Sequence, residues 1–209
     1  NILRSLFAFI ALLILARGLG PEEYGVYAFL IGIFASVKIL LDLGASSAFY
    51  TFLSKNIKPR IYYSIYYLWI LFQLSFALII IIFIPDNISN ILWKGETTSS
   101  ASLAFVAIFA QQTLWPTAIQ KAESQKRTIF AQTFNALIYL FHLLLIICMY
   151  YFENLSVNNV LLLIIFEFSI CYLLSLIFFP ISISKDNINY KIVLREYIAY
   201  CLPLAPYAG

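Results

Sequence analysis

Apolar residues in this chain come in long unbroken runs separated by short polar stretches, without the sustained apolar–polar alternation that a half-buried strand requires. Crossing about 30 Å of hydrocarbon takes ~20 helical residues at ~1.5 Å each. Six runs reach or approach that length, near residues 2–16, 24–52, 61–84, 99–119, 128–152 and 157–183. A seventh opens near Tyr197 and is cut off at Gly209. The pattern predicts an all-α, polytopic transmembrane helical bundle: a six-helix lobe over residues 1–196, then the truncated start of a seventh helix over 197–209. The sequence begins at Asn1 and stops inside an apolar segment, so it reads as a fragment of a longer chain. A cleaved signal peptide is not expected, because no small-residue cleavage site follows the first run and a second span comes directly after Pro21.

Composition removes the soluble alternatives: 63% of residues are hydrophobic and 11% charged. No connection exceeds about fourteen residues, which leaves no room for an extramembranous catalytic or binding domain. The chain is therefore expected to be no enzyme, and its working parts to lie among the helices. The stretch "SKDNINYKIVLREY" is open to two readings, an amphipathic segment on the inner headgroups or a plain loop. Cys148, Cys171 and Cys201 lie far apart within or beside apolar runs, which fits packing and neither a disulfide nor a metal site.

Basic residues set the expected orientation. Lys55, Lys58 and Arg60, then Lys121, Lys126 and Arg127, then Lys185, Lys191 and Arg195 fall in alternate connections, whereas the others hold only Arg17 and Lys94. The positive-inside rule puts the first three groups, the N-terminus and Arg4 in the cytoplasm. The net charge of +3 is thus a matter of topology and carries no implication of nucleic acid. Tyr62, Tyr63, Tyr66, Tyr67 and Trp69 at one end of the third run, and Trp93, Tyr150 and Tyr151 at outer ends, read as interfacial belts.

Charges inside apolar runs are the candidates for function, since each costs ~2.5 to 3.5 kcal/mol at mid-bilayer unless it faces a bundle interior or a water-filled cavity. In "SVKILLDLG", Lys38 and Asp42 stand four apart on a predicted second helix, Lys38 near its middle and Asp42 one turn nearer the cytoplasm. They are either a buried structural ion pair or a cavity-facing cation for phosphate, with Asp42 restraining it or exchanging an ion. Arg4 by default snorkels to the inner headgroups, with cavity exposure as the other reading. Gln111 and Gln112 point about 100° apart, so at most one lines a cavity squarely; Gln132 and Asn135 share a face. His142 and Glu167 lie deep in the fifth and sixth runs, where a protonatable pair suits a relay, although a lone histidine is more often a packing residue. Trp115-Pro116 bends or ends the fourth helix.

The connection "ARGLGPEEYGVY" combines glycines for a tight reversal with Pro21 at a first helical position and two glutamates in the first turn, which accounts for all of it except Arg17. This stretch, followed by "DLGASSAF" and later by "YIAYCLPLAPYAG", resembles bacterial polysaccharide (O-antigen, Wzx-type) flippases of the superfamily that also holds lipid II flippases and multidrug MATE exporters. The resemblance implies two six-helix lobes around a central cavity, of which this chain is the first, its C-terminal lobe missing. It implies export of an undecaprenyl-pyrophosphate-linked oligosaccharide across the bacterial cytoplasmic membrane, with H⁺ or Na⁺ coupling. On that basis the substrate-binding candidates are Lys38, Asp42, Arg17, Arg4 and Gln111, and the ion-coupling candidates Asp42, Glu167 and His142. No cofactor or metal is expected, and membrane lipid is the surrounding partner. The alternatives are a MATE-like multidrug or cation antiporter, in which acidic cavity residues dominate, and a membrane polysaccharide polymerase or ligase, which calls for a long outer loop rich in Arg or His.

Overall fold

The computed structural model of the chain describes residues 2–93, 96–180, 183–184 and 188–203. Among them it forms α1 (Ile2–Asp42), α2 (Ala45–Lys55), α3 (Arg60–Phe83), α4 (Asp86–Leu92), α5 (Thr98–Phe109), a π turn (Ala110–Leu114), α6 (Trp115–Ser124), α7 (Thr128–Tyr151), α8 (Val157–Phe178) and α9 (Tyr190–Cys201). The only β pairing among the described residues is an isolated bridge between Pro59 and Ser184. The protein is an all-α membrane bundle, and among the described residues five helices are long and apolar enough to cross: α1, α3, Thr98–Ser124, α7 and α8.

Five helices stand where the sequence pattern gives six runs, because α1 joins the first two. Its 41 residues would extend about 60 Å if straight, twice the hydrocarbon thickness. It is broken at Gly20 (φ 76°, ψ 172°), a conformation that only glycine adopts cheaply, and Pro21 starts the next segment. A second difference lies at its far end. The predicted run 24–52 is interrupted at Asp42, where Leu43 (φ 48°) and Gly44 (φ 79°) turn left-handed and the chain restarts as α2. Lys38 and Asp42 therefore occupy the end of a helix, not the middle of one.

The remaining helices follow the pattern more closely. α3 and α7 match their runs to within a residue at each end. α8 stops at Phe178, five residues before its run does, because Pro180 has no N–H to extend it. The Trp115-Pro116 pair does not end the fourth helix. The backbone widens to π spacing just before the proline, which lacks the donor for the preceding turn, and then continues as α6. α9 runs through the 196/197 boundary as one helix, so "YKIVLREY" is helical there, while residues 204–209 of the seventh run lie outside the described residues.

Small residues let the helices close on α5, which buries Ala101, Ala104 and Ala107, with Ala110 one step beyond. The outward faces are as apolar as the core: Ile79, Phe83, Leu137, Phe141 and Leu173 are exposed, as lipid contact requires. Several residues read as interfacial are instead packed inside. Tyr62, Tyr63 and Tyr66 are buried, Tyr66 stacking on Phe49 at 4.0 Å, and buried Trp93 lies 5.3 Å from Phe34. These rings fill the space around the short helices α2 and α4. Tyr150 and Tyr151 stay exposed at the end of α7.

Side-chain contacts sort the connections into two ends. A Cβ on Gly18 would collide with Leu155 Cδ1 and crowd Tyr150, so the α1 break and the α7–α8 connection share one end. At the other end, Ser184 N donates to Lys58 O, Gln125 Nε2 to Pro180 O and Arg127 to Phe178 O. The predicted basic connections are thus neighbours in space.

Candidate functional site

α7 carries a polar stripe through the bundle. Gln132, Asn135, Tyr139 and His142 are spaced by three, four and three residues, which keeps them on one helix face. The lower part of that stripe lines a cavity of about 160 Å³, which Arg4 of α1, Gln111 of the π turn, and Gln120 and Glu123 of α6 line as well. Trp115 Nε1 donates to Asn135 Oδ1 at 2.8 Å, and Gln132 Nε2 donates to Glu123 Oε1. The Arg4 guanidinium lies over the Tyr139 ring, 5.4 Å from its centroid. Tyr139 is eleven residues from Thr128 and twelve from Tyr151, roughly 17 Å from either end of α7. Arg4 thus reaches mid-depth instead of snorkelling to a headgroup, because the ring face and the cavity offer its charge a site inside.

Above the cavity the stripe meets α8. His142 Nδ1 and Glu167 Oε2 are 2.8 Å apart, the one ion pair among the described residues, with both side chains buried. The Tyr139 and His142 rings both pack on Phe168, next to Glu167 in sequence, at 6.0 and 6.4 Å. His142 is therefore not a lone packing residue, and Glu167 is not unpaired. The second carboxylate oxygen, Oε1, is buried with no hydrogen-bond partner among the described residues. A buried carboxylate and imidazole are costly in hydrocarbon, and such groups normally face a bundle interior or a cavity.

Of the residues expected from sequence to act together, the structure gathers Arg4 and Gln111 at the cavity and His142 with Glu167 beside it. Gln112 is absent from the cavity lining, as its angular offset from Gln111 requires. Lys38, Asp42 and Arg17 lie elsewhere. Lys38 is half-buried and, among the described residues, makes no ion pair with Asp42. Asp42 instead accepts from Ser46 Oγ at 2.6 Å, a carboxylate placed before the N-terminus of α2 where the helix dipole favours it. It also lines a separate groove of about 510 Å³ among Tyr66, Trp69, Tyr197 and Leu202, whose walls are otherwise almost wholly apolar. Arg17 is exposed near the α1 break.

Sequence reasoning missed Gln120, Glu123 and Tyr139. The signal for Tyr139 was the continuation of the Gln132/Asn135 face by four residues; Gln120 and Glu123 became legible only once α6 continued past Pro116. It also placed Lys121 in a solvated connection, yet Lys121 is buried in the last turn of α6.

A family model described as "Polysaccharide biosynthesis protein" matches residues 14–200. Comparison with curated proteins and with solved structures gives no match.

Proposed function

Because the chain belongs to the polysaccharide biosynthesis protein family, we propose that it flips an undecaprenyl-pyrophosphate-linked oligosaccharide across the bacterial cytoplasmic membrane. On this reading it is a transporter and not an enzyme, forms the first lobe of a two-lobe exporter, keeps its N-terminus cytoplasmic, and draws on a proton gradient. The observation that carries the proposal is the buried His142–Glu167 pair, the one ion pair among the described residues, standing beside a polar cavity. Polar groups at that depth are costly and persist where they serve a substrate or ion path. The pair supports proton exchange because a carboxylate and an imidazole in direct hydrogen-bond contact can pass a proton between them.

Arg4 and Gln111 supply donors to glycan oxygens. Lys38, half-buried and not held by Asp42, is a mobile cation for the diphosphate at the other end of the substrate.

The test is reconstitution of the full-length protein in vesicles with a fluorescent lipid-linked oligosaccharide, scoring glycan accessibility to an impermeant glycosidase. Flipping accelerated by an imposed proton gradient, and reduced in Lys38→Ala, is the expected result. Export of cationic dyes without movement of the glycan would refute it.

A further inference from the structure

The cavity bounded by Arg4, Gln111, Gln120, Glu123, Gln132 and Asn135 has a chemistry of its own. Its lining carries one cation, one carboxylate and four side-chain amides, so it offers both donors and acceptors with no net charge. A metal cation would meet Arg4, and a multivalent anion would meet Glu123, whereas a neutral polyhydroxylated ring satisfies both. Two acceptors are already short of donors: Gln120 Oε1 and Gln132 Oε1 are buried with no hydrogen-bond partner among the described residues. Buried carbonyl oxygens are rarely left so, and hydroxyl donors would complete them. The volume of about 160 Å³ holds roughly five waters at ~30 Å³ each, the size of one sugar ring and not of an oligosaccharide. Trp115 and Asn135 are locked to each other, which fixes one wall in advance.

We propose that this cavity is a subsite for a single uncharged sugar ring of the transported glycan. The proposal rests on the reading of the chain as a lipid-linked glycan flippase and assigns the ring-binding role to Gln111 and Gln120. Gln132 offers its unpartnered Oε1 to the ring as well, while its Nε2, bonded to Glu123, holds the carboxylate in the wall.

The experiment titrates the full-length protein in lipid nanodiscs with glucose, galactose and N-acetylglucosamine, reading tryptophan fluorescence, since Trp115 is part of the cavity wall. At least one sugar should give a saturable change, weakened about tenfold by Gln111→Leu or Gln120→Met, the loss of roughly one hydrogen bond. Gln111→Asn, which keeps the amide, should restore part of the response. Inorganic phosphate and sodium chloride should give none. The subsite is overturned if no sugar produces a saturable change, if the variants respond like the parent, or if phosphate or sodium chloride alone produces the signal. Flipping of the lipid-linked oligosaccharide, measured in parallel in vesicles, separates the two ideas. Flipping without a sugar response removes the subsite alone, and a sugar response without flipping removes the transport reading alone.

Discussion

Replacing Glu167 with glutamine tests whether the buried pair is a proton carrier or only a strut. Glutamine has nearly the volume of glutamate and can still hydrogen-bond His142 Nδ1, so the 2.8 Å contact and the packing around Phe168 survive. What it cannot do is release a proton. Since Glu167 is only 2% exposed, water cannot stand in for the lost carboxylate. The stability cost should stay below about 1 kcal/mol, a shift of less than roughly 4 °C in the unfolding midpoint for a chain of this size. Glu167→Leu is the contrast: it leaves His142, 6% exposed, without its partner, at a cost of about 1–3 kcal/mol and a fall of roughly 2–12 °C. Gradient-driven flipping in vesicles should drop at least about tenfold in Glu167→Gln, equivalent to ~1.4 kcal/mol on the driven step. Thermal unfolding of the same preparations, followed by thiol-reactive dye on the three free cysteines, supplies the stability arm. If Glu167→Gln flips substrate at the parental rate under a proton gradient, the pair carries no coupling proton.

Three further outcomes follow from local geometry. Gly20→Ala should destabilise by about 1–3 kcal/mol through its positive φ alone, as nothing lies within 4 Å of a Cβ there, whereas Gly25→Ala and Gly32→Ala, equally uncrowded but within helix, should stabilise by about 0.5–1 kcal/mol; equal melting shifts for all three would refute the assigned break. Ser46→Ala should cost about 1 kcal/mol in chemical or thermal unfolding by removing the hydroxyl bonded to Asp42, and Ser47→Ala, an exposed neighbour, close to nothing. Arg4→Met should lower glycan flipping more than Arg4→Lys while leaving insertion unchanged on membrane fractionation, because lysine restores the charge at the Tyr139 ring.

The membrane fold was legible in the sequence because lipid leaves a helix no alternative to an apolar run of set length, and the α3, α7 and α8 starts fall within a residue of their polar borders. What escaped was wherever the backbone does something a hydropathy pattern does not encode. Leu43 and Gly44 turn left-handed inside an apolar run, so the end of a helix looked like its middle and Lys38 and Asp42 looked like a mid-membrane pair. The π turn before Pro116 let a helix continue where proline suggested a stop. Aromatic residues were misread for a different reason: tyrosine and tryptophan look the same in a string whether they anchor at a headgroup or pack on Phe49 and Phe34. The candidate site was half visible. Arg4, His142 and Glu167 were found and Glu123 was not, and the pairing of His142 with Glu167 depends on how two helices face each other, which no single run reveals.

The depth of the His142–Glu167 pair also fixes its relation to the membrane potential. Glu167 lies ten residues into α8 and eleven from its end, about 15 to 17 Å from each. A proton arriving there from either side has crossed about half of the field, so 100 mV weighs on its binding by ~1.2 kcal/mol, about a sevenfold bias in occupancy. On the proposed proton-coupled reading, voltage alone, at constant pH on both sides, is thereby expected to set how often a proton occupies this depth, and with it the rate of the proposed export.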